Sequence, residues 1–66
     1  MEVRVRRSET QKDAHIVEIE GRIDAHTAPD VEKELKALLD KGFVKIVVDF
    51  SGVNYISSGG LRVFLT

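Results

Sequence analysis

Ser57 and Ser58, followed at once by Gly59 and Gly60, carry the clearest chemical signal in this 66-residue chain. A serine at the start of a helix has two uses. It can accept a bond from a free backbone N–H as a cap, a contribution of about 1 kcal/mol. It can also stand free and take a phosphate, whose charge the positive helix end tolerates. Two glycines after the hydroxyl leave it uncrowded, so another protein's active site can approach the backbone. Glycine is otherwise a poor choice for starting a helix. Residue type leaves both uses open, and both serines remain candidates. Asp24 is the second candidate group, either as a functional acidic corner or as a hydrogen-bond acceptor where the first helix starts. Asp49 is placed to brace the Ser51-Gly52 turn.

Other constellations fit badly. No lysine follows Gly60, as a phosphate-cradling GxxxxGK[ST] loop requires. Tyr55 and Ile56, not glycine, stand two positions before Ser57 and Ser58, which excludes a nucleophile elbow. His15 is expected to face solvent from a strand and His26 to sit in a loop, so neither a serine–histidine–aspartate set nor a metal site is expected. No cofactor and no enzymatic activity are expected.

These residues need elements to hold them. Val3 and Val5 alternate with Arg4 and Arg6, and Val17, Ile19, Gly21 and Ile23 alternate with Glu18, Glu20 and Arg22. Both stretches have strand periodicity and predict a hairpin around Glu9–Asp13. Thr27 then reads as an N-cap with Pro29 in the first turn. Val31, Leu35, Leu38 and Leu39 form one apolar helical stripe, closed by Gly42. Residues 43–50 are nearly all apolar and predict a strand covered on both faces. About fourteen helical residues span roughly 21 Å, enough to return the chain along that strand, so it runs parallel to the second. The connection is a right-handed βαβ crossover on the usual handedness rule. Residues 51–56 read as a loop, and Leu61, Phe64 and Leu65 begin a second helix. Asp24 and Ser57–Gly60 then lie beyond the carboxyl ends of parallel strands, where open α/β sheets build sites.

Composition narrows the work these loops can do. Ten basic and eleven acidic residues give a net charge of -1, with no cysteine. That balance provides no field to draw a nucleic acid, and Arg4, Arg6 and Arg7 read as the guarded edge of a sheet. No apolar run approaches a membrane span. The N-terminal residues lack the core of a secretion signal, so a cytoplasmic location is expected. A chain this short buries little surface and has no disulfide to compensate. Self-association is expected through apolar surface left uncovered at Val47, Phe64 and Leu65.

Three segments together are similar to a known family: Gly21-Arg22-Ile23-Asp24-Ala25-His26-Thr27-Ala28 with its following helix, Val48-Asp49-Phe50-Ser51-Gly52-Val53, and Ile56-Ser57-Ser58-Gly59-Gly60-Leu61. They resemble the STAS domain, and within it the bacterial anti-sigma factor antagonists. The resemblance implies an α/β, STAS-like fold over residues 1–66 as a single partial domain: an N-terminal hairpin strand, the βαβ unit and the start of a second helix. The family's further C-terminal strands and helices are absent from the sequence.

It also implies a mechanism. In this family the unphosphorylated antagonist binds an anti-sigma factor that is itself a serine kinase, and the sigma factor is released. Phosphorylation of the antagonist breaks the complex, and a PP2C-type phosphatase restores it. Against the family's Asp-Ser-Ser-Gly-Leu pattern, Ser57 stands at the aspartate, Ser58 at the acceptor and Gly59 at the second serine, while Gly60 and Leu61 match. Ser58 is therefore the implied phosphorylation site, with Ser57 as the alternative. Asp24, His26, Thr27, Ser57, Gly59 and Gly60 are the implied partner-binding residues. Two other readings are an unphosphorylated STAS adaptor of a transporter or lipid-trafficking complex, and small-ligand binding by the two loops.

Overall fold

A computed structural model of the chain describes residues 1–65. Three strands form one sheet in the order β1-β2-β3: β1 (Glu2–Arg7), β2 (Ala14–Ile23) and β3 (Lys45–Ile56). Helix α1 (Ala28–Asp40) joins β2 to β3, and a short α2 (Ser58–Leu61) passes into a 3-10 turn, Arg62–Phe64. β1 runs antiparallel to β2, and β3 runs parallel to it, as the hairpin turn and the crossover length predict. The hairpin turn has no glycine. Asp13 takes the positive φ of 62° instead, and Ser8 Oγ accepts bonds from the N–H groups of Thr10 and Gln11.

α1 ends at a left-handed glycine. Gly42 has φ 85°, its N–H donates to Leu39 O at 2.9 Å, and the Phe43 N–H donates to Leu38 O at 3.0 Å. That pair of bonds satisfies carbonyls the helix leaves open. Val31 and Leu38 of the predicted stripe are buried and Leu35 is half-buried, while Leu39 stays exposed at the stripe's margin. The core gathers Val17, Ile19, Ile23, Ala28, Val31 and Leu38, with Ile46, Val48, Val53 and Phe64 packed against it.

Four expectations are corrected. β2 begins at Ala14, so His15 lies inside it: the ring is buried, 4.2 Å from the Phe43 ring, and does not face solvent. β3 does not end at Phe50 but runs to Ile56. Its twelve residues oppose ten of β2, the excess taken up in bulges between Asp49 and Gly52 and between Val53 and Tyr55. A bulge breaks the alternation that sequence periodicity relies on, which is why residues 51–56 read as a loop. Among the described residues β3 is an edge strand, not one covered on both faces; Val47 is 51% exposed. Phe64, finally, is half-buried, edge-on to Phe50 with ring centroids 5.2 Å apart.

Candidate functional site

The C-terminal ends of β2 and β3 bring two loops together. The Ser57 N–H donates to Ile23 O at 2.9 Å, which docks the start of α2 on the last residue of β2. Gly60 is buried against that same carbonyl. Gly59 packs beside the next loop, where a Cβ would lie 3.4 Å from the Ala25 Cβ. Asp24, Ala25, His26 and Thr27 therefore stand next to the serine-glycine turn.

The two serines divide the two uses of a hydroxyl between them. Ser57 is the N-cap: it is extended (φ -90°, ψ 167°) and its Oγ accepts from the Gly60 N–H at 3.1 Å. Ser57 is half-buried and already engaged. Ser58 is the first helical residue and is exposed, and its hydroxyl has no hydrogen bond among the described residues. The cap and the free acceptor are thus adjacent residues.

Asp24 organises the other loop. Its Oδ1 accepts from the N–H groups of His26 (2.9 Å) and Thr27 (3.1 Å). The Thr27 hydroxyl accepts from the Asp24 N–H at 2.9 Å and donates to Arg22 O at 2.8 Å. Thr27 occupies the N-cap position without a side-chain cap bond. Its hydroxyl ties back to the end of β2, and the first helical N–H groups go to backbone carbonyls, Ala28 to Asp24 O at 2.8 Å and Asp30 to Thr27 O at 3.0 Å. The His26 side chain is exposed.

The N–H groups of Thr27 and then His26 hold the Asp24 carboxyl below the usual carboxylate range; the Thr27 hydroxyl and Arg22 assist, against some desolvation. A carboxylate depressed in the folded state stabilises it above the unfolded chain's ordinary value, and that contribution disappears as pH falls through the depressed one. Asp24→Ala is therefore expected to lower Tm at neutral pH and to flatten the fall of Tm towards about pH 3, since the linkage is lost. Thermal melts of both chains across that range check it, and parallel curves would contradict it. Asp49 remains as an internal reference, its carboxyl held low by the Ser51 N–H at 2.8 Å.

Two features escape sequence reasoning. The Arg22 guanidinium lies 4.3 Å over the Tyr55 ring and 4.0 Å from an Asp24 carboxylate oxygen. The contact depends on the second bulge of β3, which sets Arg22 opposite Tyr55. The second is an open groove of about 360 Å³ between the first turns of α1 and α2, lined by Ala25, Ala28, Pro29, Glu32, Gly59, Arg62 and Val63. Its one legible signal is Arg62, four residues after Ser58 and so on the same helix face; the Arg62 N–H donates to Ser58 O. Among the described residues, no three potential metal ligands gather, and His15 and His26 flank opposite ends of β2. No helix among them is long and apolar enough to cross a membrane.

Comparison with known proteins agrees with this geometry. The STAS domain family model matches residues 6–66. BtrV of Bordetella bronchiseptica, named as an anti-sigma factor antagonist, is 43% identical over 47 residues, covering 71% of this chain and 40% of BtrV. The anti-sigma-B factor antagonist of Listeria monocytogenes is 32% identical over 65 residues, covering 98% of this chain and 57% of that protein. The structure of the anti-sigma factor antagonist SpoIIAA in its unphosphorylated form superposes with a TM-score of 0.70 at 15% identity, over 97% of this chain and 57% of that one. The chain spans about half the length of the relatives it matches.

Proposed function

The chain belongs to the STAS domain family, and from that premise we propose that it acts as an anti-sigma factor antagonist switched by phosphorylation of Ser58. The unphosphorylated face formed by Ser58, Gly59 and the Asp24–Thr27 loop binds an anti-sigma factor that is also a serine kinase, releasing a sigma factor. A PP2C-type phosphatase resets the switch, and the cycle runs in the cytoplasm. The chain itself catalyses nothing: it is a substrate and a binding module. One observation carries this reading: Ser57 fills the cap, so the exposed Ser58 hydroxyl is free to be modified.

The energetics are adequate. A phosphoserine adds roughly -1.5 to -2 charge where a neutral hydroxyl stood. Desolvating an unpaired ion in an interface costs several kcal/mol, while a helix end returns only about 0.3–1 kcal/mol at an exposed site. The interface penalty wins. The fold need not change, because the Ser58 hydroxyl holds nothing in place.

Incubation with the anti-sigma kinase and ATP, followed by tandem mass spectrometry, tests the assignment. Phosphate is expected on Ser58, and Ser58→Ala is expected to bind the kinase and take up none. Phosphate on Ser57 would overturn the assignment, and no phosphate at all would favour an adaptor. Self-association belongs to the same proposal, supported by Val47 and by Leu65, which is 75% exposed.

A further inference from the structure

Ser58 and Arg62 are one helical turn apart, and the turn between them is closed. The Leu61 N–H donates to Ser57 O at 2.8 Å, and the Arg62 N–H donates to Ser58 O. Arg62 itself keeps helical angles, φ -55° and ψ -33°. Residues four apart on such a turn are neighbours, about 5–6 Å between Cβ atoms, and the favoured order puts the acidic group N-terminal to the basic one. Arg62 makes no ion pair among the described residues. It is placed by elements within the described chain, lining one groove with Gly59 of α2 and with Ala28 and Glu32 of α1.

The other charged groups around this turn are of the wrong sign or already engaged. Asp24 and Glu32 are acidic, and the Arg22 guanidinium lies over the Tyr55 ring beside Asp24. His26 stands in the neighbouring loop. Arg62 is the cation on the hydroxyl's own turn. A phosphate on Ser58 would bring roughly -1.5 to -2 charge and three strong acceptor oxygens to it. α2 is four residues long, so few aligned peptide dipoles add up to meet that charge. A guanidinium fork one turn away meets it directly, through charge-assisted hydrogen bonds.

We propose that Arg62 receives the phosphate, so that phosphorylated Ser58 pairs with the Arg62 guanidinium inside the chain. The inference rests on the Ser58 reading and adds to its regulation. Modification places an anion on the binding face and withdraws a cation from it in the same step. The pair is modest: half a pH unit is about threefold in the ionisation of the phosphate. That is small beside a hundredfold loss of affinity, so the switch survives it.

The test uses the full chain with phosphoserine placed at position 58 during translation, so no kinase enters it. Phosphorus NMR follows the second ionisation of the phosphate, which ordinarily falls at about pH 6. In this chain it is expected about 0.5 pH lower. Arg62→Gln is expected to return it to the ordinary value. Arg62→Lys is expected to keep part of the shift, since lysine is a cation without the fork. Arg22→Gln is expected to change nothing, because that guanidinium is held over Tyr55. Histidine ionises in the same range, so every chain compared carries His26→Asn, and circular dichroism verifies folding. Equal titration of the parent and both Arg62 variants would overturn the pair, as would a shift that follows Arg22 instead. A kinase that spares Ser58 would sink the reading beneath it and leave this titration unaltered, so the two failures are distinguishable.

Discussion

Ser58→Asp is expected to weaken binding to the anti-sigma factor by about a hundredfold or more, with Tm almost unchanged. A hundredfold corresponds to about 2.7 kcal/mol, within the cost of burying one unpaired carboxylate in an interface. The folded chain has no reason to respond. Ser58 is exposed, its hydroxyl has no partner among the described residues, and a carboxylate in the first turn of a helix is tolerated. Ser57→Ala is expected to do the opposite. It removes the oxygen that accepts the Gly60 N–H and costs about 1 kcal/mol of stability without placing charge in the interface. Calorimetric titration beside thermal melts separates the two. Equal affinity for Ser58→Asp and the parent chain would count against the charge switch.

Gly60→Ala is expected to be the most destabilising single-methyl change in the site. The added Cβ would lie 2.5 Å from Ile23 O and 2.7 Å from its carbonyl carbon, backbone atoms that cannot swing aside. The same carbonyl accepts the Ser57 N–H, so relieving the clash means prising the serine-glycine turn off the end of β2. About 3 kcal/mol, the upper part of the usual range for overpacking, is the expected loss. That is a large share of the stability of so short a chain. Gly59→Ala makes only ordinary contact, 3.4 Å from the Ala25 Cβ, and is expected to leave Tm unchanged or slightly raised by better helix propensity. Chemical denaturation of the two variants checks the contrast. A Gly60→Ala chain as stable as Gly59→Ala would show that α2 is not anchored on Ile23.

What the sequence reveals here follows from how local each cause is. The α1 stripe and the left-handed Gly42 are set by residues within one or two turns; Gly42 is present as read, and the stripe holds at Val31, Leu35 and Leu38 while Leu39, read as part of it, is exposed. The β2–β3 parallel pairing follows from the length of the crossover helix, and the Ser57–Gly60 turn lies beyond the strands as that geometry requires. The failures are non-local. His15 is buried because Phe43, distant in sequence, covers it, and alternation alone reports only a side of the strand. β3 outruns its apolar stretch because bulges at Ser51 and Asn54 offset its pattern against β2. Thr27 has the right type for a cap, but the Arg22 carbonyl is in reach and takes its hydroxyl. Residue types leave Ser57 and Ser58 as equals; the bond from Gly60 to Ser57 and the exposure of Ser58 separate them.

The most direct measurement is the affinity of one preparation for the anti-sigma factor before phosphorylation, after stoichiometric phosphorylation, and after phosphatase treatment, with the modified residue identified by mass spectrometry. The account predicts tight binding, loss of about a hundredfold or more with phosphate on Ser58, and full recovery on its removal. Undiminished binding by the Ser58-phosphorylated chain would contradict it.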